Sequence, residues 1–207
     1  LFRTAMMPIL HPEKARRLSC RTTSAFARCI AIAAFALLLD PMQAQVMRLD
    51  RSLVGFTSDA QLERIDASTT HATGALDATA RTFAVRIPIA TFEGFNSPLQ
   101  REHFNENYMD SETIPDAQFK GRVIEAVDLA QAGTVKVRAK GVLSIHGVDQ
   151  ERIIACELIV SEDSVRVTSE FNVVLSDHDI RVPGIVRQKI APAVKVKIDL
   201  LFRSATP

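Results

Sequence analysis

The chain has 207 residues, a net charge of +1 and 47% hydrophobic residues. That is enough to build one domain with a real core, and too apolar for a disordered chain. Basic and acidic residues nearly cancel, which argues against a nucleic-acid surface.

The first element is a leader. Arg16, Arg17, Arg21 and Arg28 precede the apolar run CIAIAAFALLL at 29–39, and DPMQAQ follows. A basic region, about 11 apolar residues and a small residue form a secretory signal peptide. We place it at 1–44, with cleavage near Ala44. The run is short for a membrane span, which needs about 20 residues, and an uncleaved anchor is the other reading. Removing 1–44 leaves a net charge of −3. Cys20 and Cys29 leave with the leader, so Cys156 has no partner for an intrachain disulfide. It sits in the apolar run IIACELIV and reads as a small buried hydrophobe.

Strand patterns fill residues 45–207. Strands fit 47–57, 60–67, 70–77, 82–90, 117–128 and 151–160. Three more alternate cleanly. In TVKVRAKGVLSIHG, Val135, Val137, Ala139, Gly141, Leu143 and Ile145 oppose Lys136, Arg138 and Lys140. In SVRVTSEFNVVL, Val165, Val167, Phe171, Val173 and Leu175 oppose Arg166, Thr168 and Glu170. In VKVKIDLLF, Val194, Val196, Ile198, Leu200 and Phe202 oppose Lys195, Lys197 and Asp199. This period of two means sheets with one face in a core and one in water. Short loops at 77–81, 129–133, 146–150 and 161–164 favour antiparallel neighbours. Eight or nine such strands form one domain, either a closed barrel or a sandwich. The last strand pairs with the first in a barrel, or else with a second copy.

Two segments break the alternation. In SPLQREHFNENYMD, Ser97 can cap a helix, Pro98 suits its first turn, and Gln100 completes a capping box. Leu99, Phe104 and Tyr108 make an uneven apolar stripe on that helix. The second break, 178–192, is bounded by Pro183, Gly184 and Pro192 and reads as a loop with a helical turn. The DHD at 177–179 puts its two carboxylates on one strand face and His178 on the other, a poor metal site. No H-x-x-x-H, C-x-x-C, G-x-S-x-G or glycine-rich phosphate loop occurs. We therefore expect no metal, no cofactor and no catalysis.

Three motifs then stand in order: FNSPLQREHFNENYMDSETIPDAQFKG, KGVLSIHGV and FNVVLSDHDIRVP. Together they resemble the YceI-like family. The matching positions are Pro115, Phe119 and Gly121, then Gly141, Leu143, Ile145, His146 and Gly147. The resemblance covers 47–203. It implies an all-β, lipocalin-like antiparallel up-and-down barrel with the short helix at its mouth. It also implies a periplasmic or secreted protein that holds a long-chain isoprenoid, quinone or other amphiphile in an apolar channel. The alternative is a periplasmic stress or interaction module with a self-filled barrel, acting through its outer face, with transient membrane or membrane-protein contact. Our wall candidates are Phe83, Val85, Phe119, Val137, Leu143, Phe171 and Val173, with Phe104, Tyr108 and Met109 at the mouth. Candidates for a headgroup are Arg101, His103, Asn105, Asn107 and His146, since a phosphate or carboxylate needs donors.

Overall fold

A computed structural model describes residues 45–204. The leader at 1–44 lies outside the described residues. Nine strands follow one another: β1 Val46–Asp59, β2 Arg64–Thr69, β3 Thr73–Asp77, β4 Thr82–Pro88, β5 Asp116–Val123, β6 Gly133–Ile145, β7 Val148–Val160, β8 Ser164–Val174 and β9 Ala193–Ser204. Every pairing is antiparallel. The order β1-β3-β4-β5-β6-β7-β8-β9 returns to β1, so eight strands close a barrel and β2 is an extra strand on β1. The last strand thus pairs with the first, from Met47↔Ser204 to Thr57↔Lys195.

The sheet departs from simple alternation at identifiable places. β2 and β3 keep one register on β1 (Val54↔Thr69, Val46↔Asp77) and act as a single strand interrupted at 70–72. They begin later than the expected 60 and 70, at Arg64 and Thr73. β1 slips register against β9 between Leu49 and Arg51. The extra residue, Asp50, moves the buried set from Met47 to Ser52, Val54 and Ser58. β5 ends at Val123 rather than 128. Beyond it the Glu125 carboxylate accepts the Arg138 backbone N–H at 2.6 Å and its guanidinium at 2.8 Å, which holds the chain in a loop beside β6.

The loop expected at 146–150 is a two-residue turn. Ile145 pairs with Val148, and His146 and Gly147 both have positive φ (51° and 73°). At the midpoint of β5 and β6, Gly121 pairs with Gly141. A Cβ built on Gly121 would meet the Lys140 carbonyl oxygen at 2.1 Å, so two glycines let these backbones approach.

The seam between β7 and β8 is incomplete. β7 and β8 pair only from Glu157↔Thr168 to Val160↔Val165. Past that point side chains of β7 and β8 lace the strands and the turn that follows β8. Ser169 Oγ donates to the Ala155 carbonyl at 2.6 Å, Arg152 Nη2 to Asn172 at 2.7 Å and Gln150 Nε2 to Asp177 at 2.8 Å.

The outer face is polar. Arg166 pairs with Asp199, and Lys195 and Lys197 both reach Glu170. The Arg166 guanidinium holds the Asp199 carboxyl below its ordinary range. Inside, Met47, Leu76, Val123, Val137, Val160, Val165 and Phe202 are buried and pack one end of the barrel solid.

Candidate ligand-binding site

The other end is open. Ser97 accepts the Gln100 N–H at 3.2 Å and starts helix α1, Pro98–His103. Gln100 reaches back one residue further than a capping box requires. Its Oε1 accepts the Asn96 N–H at 2.9 Å, and its amide donates to Glu63 at 3.0 Å. This second bond ties the helix to the β1–β2 turn. The helix continues as a π-turn, Phe104–Tyr108, closed by Met109 N–H donating to the Phe104 carbonyl at 3.0 Å. The widened turn explains the uneven stripe. In an α-helix, residues five apart lie well round from each other; in the π-turn they share a face. Phe104 and Met109 therefore both face the barrel.

Beneath the helix is an apolar cavity of about 490 Å³. On β9 its lining runs from Val194 to Leu200, roughly 20 Å of strand. Phe104 roofs it. Its ring lies 5.4 Å from Phe56, 5.8 Å from Phe92 and 5.0 Å from Phe95. This size and a mostly apolar lining with a few polar groups at one end suit a small-molecule site.

Eight of the ten wall candidates line this space: Val85, Phe104, Tyr108, Met109, Phe119, Leu143, Phe171 and Val173. Phe83 and Val137 do not. Phe83 packs against Phe119 at 5.0 Å, and Val137 is buried in the solid end. Alternation tells which side of a strand faces in, not how far along the barrel the space extends.

Of the headgroup candidates, only His103 reaches the cavity. Arg101 turns out of it and donates to the Ala90 carbonyl at 3.0 Å. Asn105 bonds the Arg101 carbonyl and accepts from Ser111 Oγ. Asn107 is exposed and off the lining. His146 Nδ1 donates to the His178 carbonyl at 3.1 Å, holding the β6–β7 turn.

Three lining features escaped the sequence reading. Phe56 comes from β1 and Phe92 and Phe95 from the connection between β4 and the helix, and they meet only in space. Lys189 comes from the loop after β8 and, among the described residues, forms no ion pair. Its signal was a basic residue in a proline-bounded loop. Cys156 also lines the cavity; burial pushes its thiol up, so it stays protonated and apolar in character. Burial likewise raises the Tyr108 phenol.

The DHD segment forms a short 3-10 turn, Leu175–His178, in place of a strand. His178 is fully buried (0% exposed), and its Nδ1 donates to the Val148 carbonyl at 3.1 Å. Two histidines thus fasten this turn to the β6–β7 hairpin. His178→Ala is expected to cost about 2–4 kcal/mol through the lost bond and the space left behind. A urea titration should show a lower midpoint with an unchanged slope; an unaltered midpoint would count against the fastening role.

The model of the YceI-like domain matches residues 39–202. The chain belongs to the YceI-like family. None of the curated proteins matches this YceI-like chain. Among solved structures, a polyisoprenoid-binding domain from Saccharophagus degradans, implicated in plant cell wall breakdown, is similar at 14% identity with a TM-score of 0.67. The match covers 78% of this chain and 99% of that one. BcnA of Burkholderia cenocepacia is similar at 16% identity and a TM-score of 0.60, over 72% of this chain and 95% of its own. The YceI protein of Campylobacter jejuni follows at 13% and 0.58, over 72% and 90%. At these identities the likeness is one of fold. The lipocalin-like barrel is therefore the YceI-like fold, with the helix of SPLQREHFNENYMD at its open end.

Proposed function

We propose that this YceI-like chain binds and carries a long-chain isoprenoid, a quinone or a similar amphiphile, tail inward, and does no chemistry on it. The observation that carries this reading is the apolar cavity beneath the Phe104 roof, with packed core at the far end of the barrel. Burying each methylene is worth about 0.8 kcal/mol, so a tail along the cavity supplies affinity without specific contacts. His103 and Lys189 at the rim supply donors for a polar head. The polyisoprenoid-binding relative supports the same ligand class. The leader pattern supports work in the periplasm or outside the cell. A barrel filled by its own side chains fits the packed end alone; the cavity above it favours carriage.

The test is native mass spectrometry of protein expressed from the full chain, followed by lipid extraction. The expected result is a co-purifying mass that extracts as a prenyl lipid or other amphiphile. The chain has no tryptophan, so Phe171→Trp adds a single reporter on the cavity wall. Its emission should shift on titration with a prenyl alcohol. A bare protein with a flat titration overturns the reading.

A further inference from the structure

The rim of the cavity combines two features. Ile185, at the tip of the Gly184–Val186 turn, is 93% exposed. Leu62 is 63% exposed, and its N–H donates to the Gln188 carbonyl at 2.8 Å, which holds it beside that loop. Leu99, on the facing helix, is 57% exposed and lines the cavity. Three large aliphatic side chains therefore stand in water around one opening.

The same loop is basic. Residues 179–192 contain Arg181, Arg187 and Lys189 against one acidic residue, Asp179. All three basic residues are exposed, and among the described residues none has an ion-pair partner. This holds although residues 45–207 carry a net charge of −3. Acidic groups stand near the loop as well. Glu63 is committed to Asn96 and Gln100. Glu102 and Glu106 lie on the helix, exposed and off the cavity lining. Asp59 and Asp179 sit at the ends of the flanking elements.

We propose that this rim is a docking surface for an anionic lipid membrane. Ile185 and Leu62 enter the acyl boundary, and Arg181, Arg187 and Lys189 meet the headgroups. Exposed aliphatic residues and unpaired cations together are what interfacial binding requires, because neither gives a stable anchor alone. Docked this way, the cavity opens onto the bilayer, and an amphiphile can pass between the two without crossing water. The proposal rests on the carrier reading for its purpose, and its test separates the two.

The probe is co-sedimentation with vesicles of phosphatidylcholine, with and without phosphatidylglycerol. Protein from the full chain is expected to bind the phosphatidylglycerol vesicles and to release in high salt. Ile185→Ser, and separately Arg181→Ser with Arg187→Ser, should each weaken vesicle binding about tenfold or more while binding of a prenyl alcohol in detergent stays unchanged. None of these three residues lines the cavity. Docking is overturned if the variants bind vesicles as the parent does, or if the parent ignores them while still binding the prenyl alcohol. It is also overturned if Ile185→Ser only converts a dimer to a monomer in sedimentation. Vesicle binding without any prenyl binding would sustain docking and sink the carrier reading instead.

Discussion

Gly121→Val is expected to leave the chain without a stable barrel. The Cβ would sit 2.1 Å from the Lys140 carbonyl oxygen and 2.6 Å from the Gly141 Cα. Both are backbone atoms of β6, which is hydrogen-bonded on one side to β5 and on the other to β7. No side chain can swing away to make room. Ordinary overpacking costs about 1–3 kcal/mol, and a clash with fixed backbone lies at or above the top of that range. Domains of this size have about 5–15 kcal/mol in all. Gly121→Ala should already lower the melting temperature strongly, and valine should abolish cooperative melting. Gly55 is the control: a Cβ there meets the Ala67 carbonyl at 3.4 Å, an ordinary contact, and Gly55→Ala should cost under about 1 kcal/mol. A Gly121→Ala protein that melts with the parent would show that β5 and β6 do not approach as described.

Val196→Trp is expected to abolish carriage and keep the fold. Val196 lines the cavity from β9, between Phe56 of β1 and Phe171 of β8, its partners on either side. An indole there points into the cavity and has apolar walls to meet. Melting temperature should hold or rise. If the indole excludes about four methylenes of tail, the loss is about 3 kcal/mol, or roughly 100-fold in affinity. Titration with a prenyl alcohol measures it directly. A stable Val196→Trp protein that binds as the parent does would place the ligand elsewhere.

The β architecture could be read from the chain because period-two alternation is a local signal. VKVKIDLLF and TVKVRAKGVLSI each bury the residues their alternation marks. Phase changes are harder to see. Asp50 adds one residue to β1, and nothing in MRLDRSLVGF says which side of the slip faces in. The helix was legible from Ser97 and Pro98, but its π-turn was not, since the turn exists to bring Phe104 and Met109 together over a cavity the local sequence does not describe. The headgroup candidates show the limit most sharply. Arg101, Asn105 and His146 have the right chemistry, yet each is committed to a backbone carbonyl. Lys189 and the phenylalanine cluster are brought to the rim by chain segments far apart in sequence. Such convergence is a property of closure, which no single window contains.

The laced seam between β7 and β8 has a mechanical consequence. From β3 through β7, and from β8 through β9 to β1, the girth of the barrel is fixed by longer ladders of main-chain bonds; only the β1–β3 junction, Val46↔Asp77 to Arg48↔Ala75, is as short. Along the open part of the β7–β8 seam it is fixed by two side-chain bonds between the strands and a third, from Gln150, to the turn after β8, each worth about 1 kcal/mol. A guest too thick for the resting bore will therefore stretch the cylinder more readily along that line than across the long ladders beside it, as a corset gives at its laces.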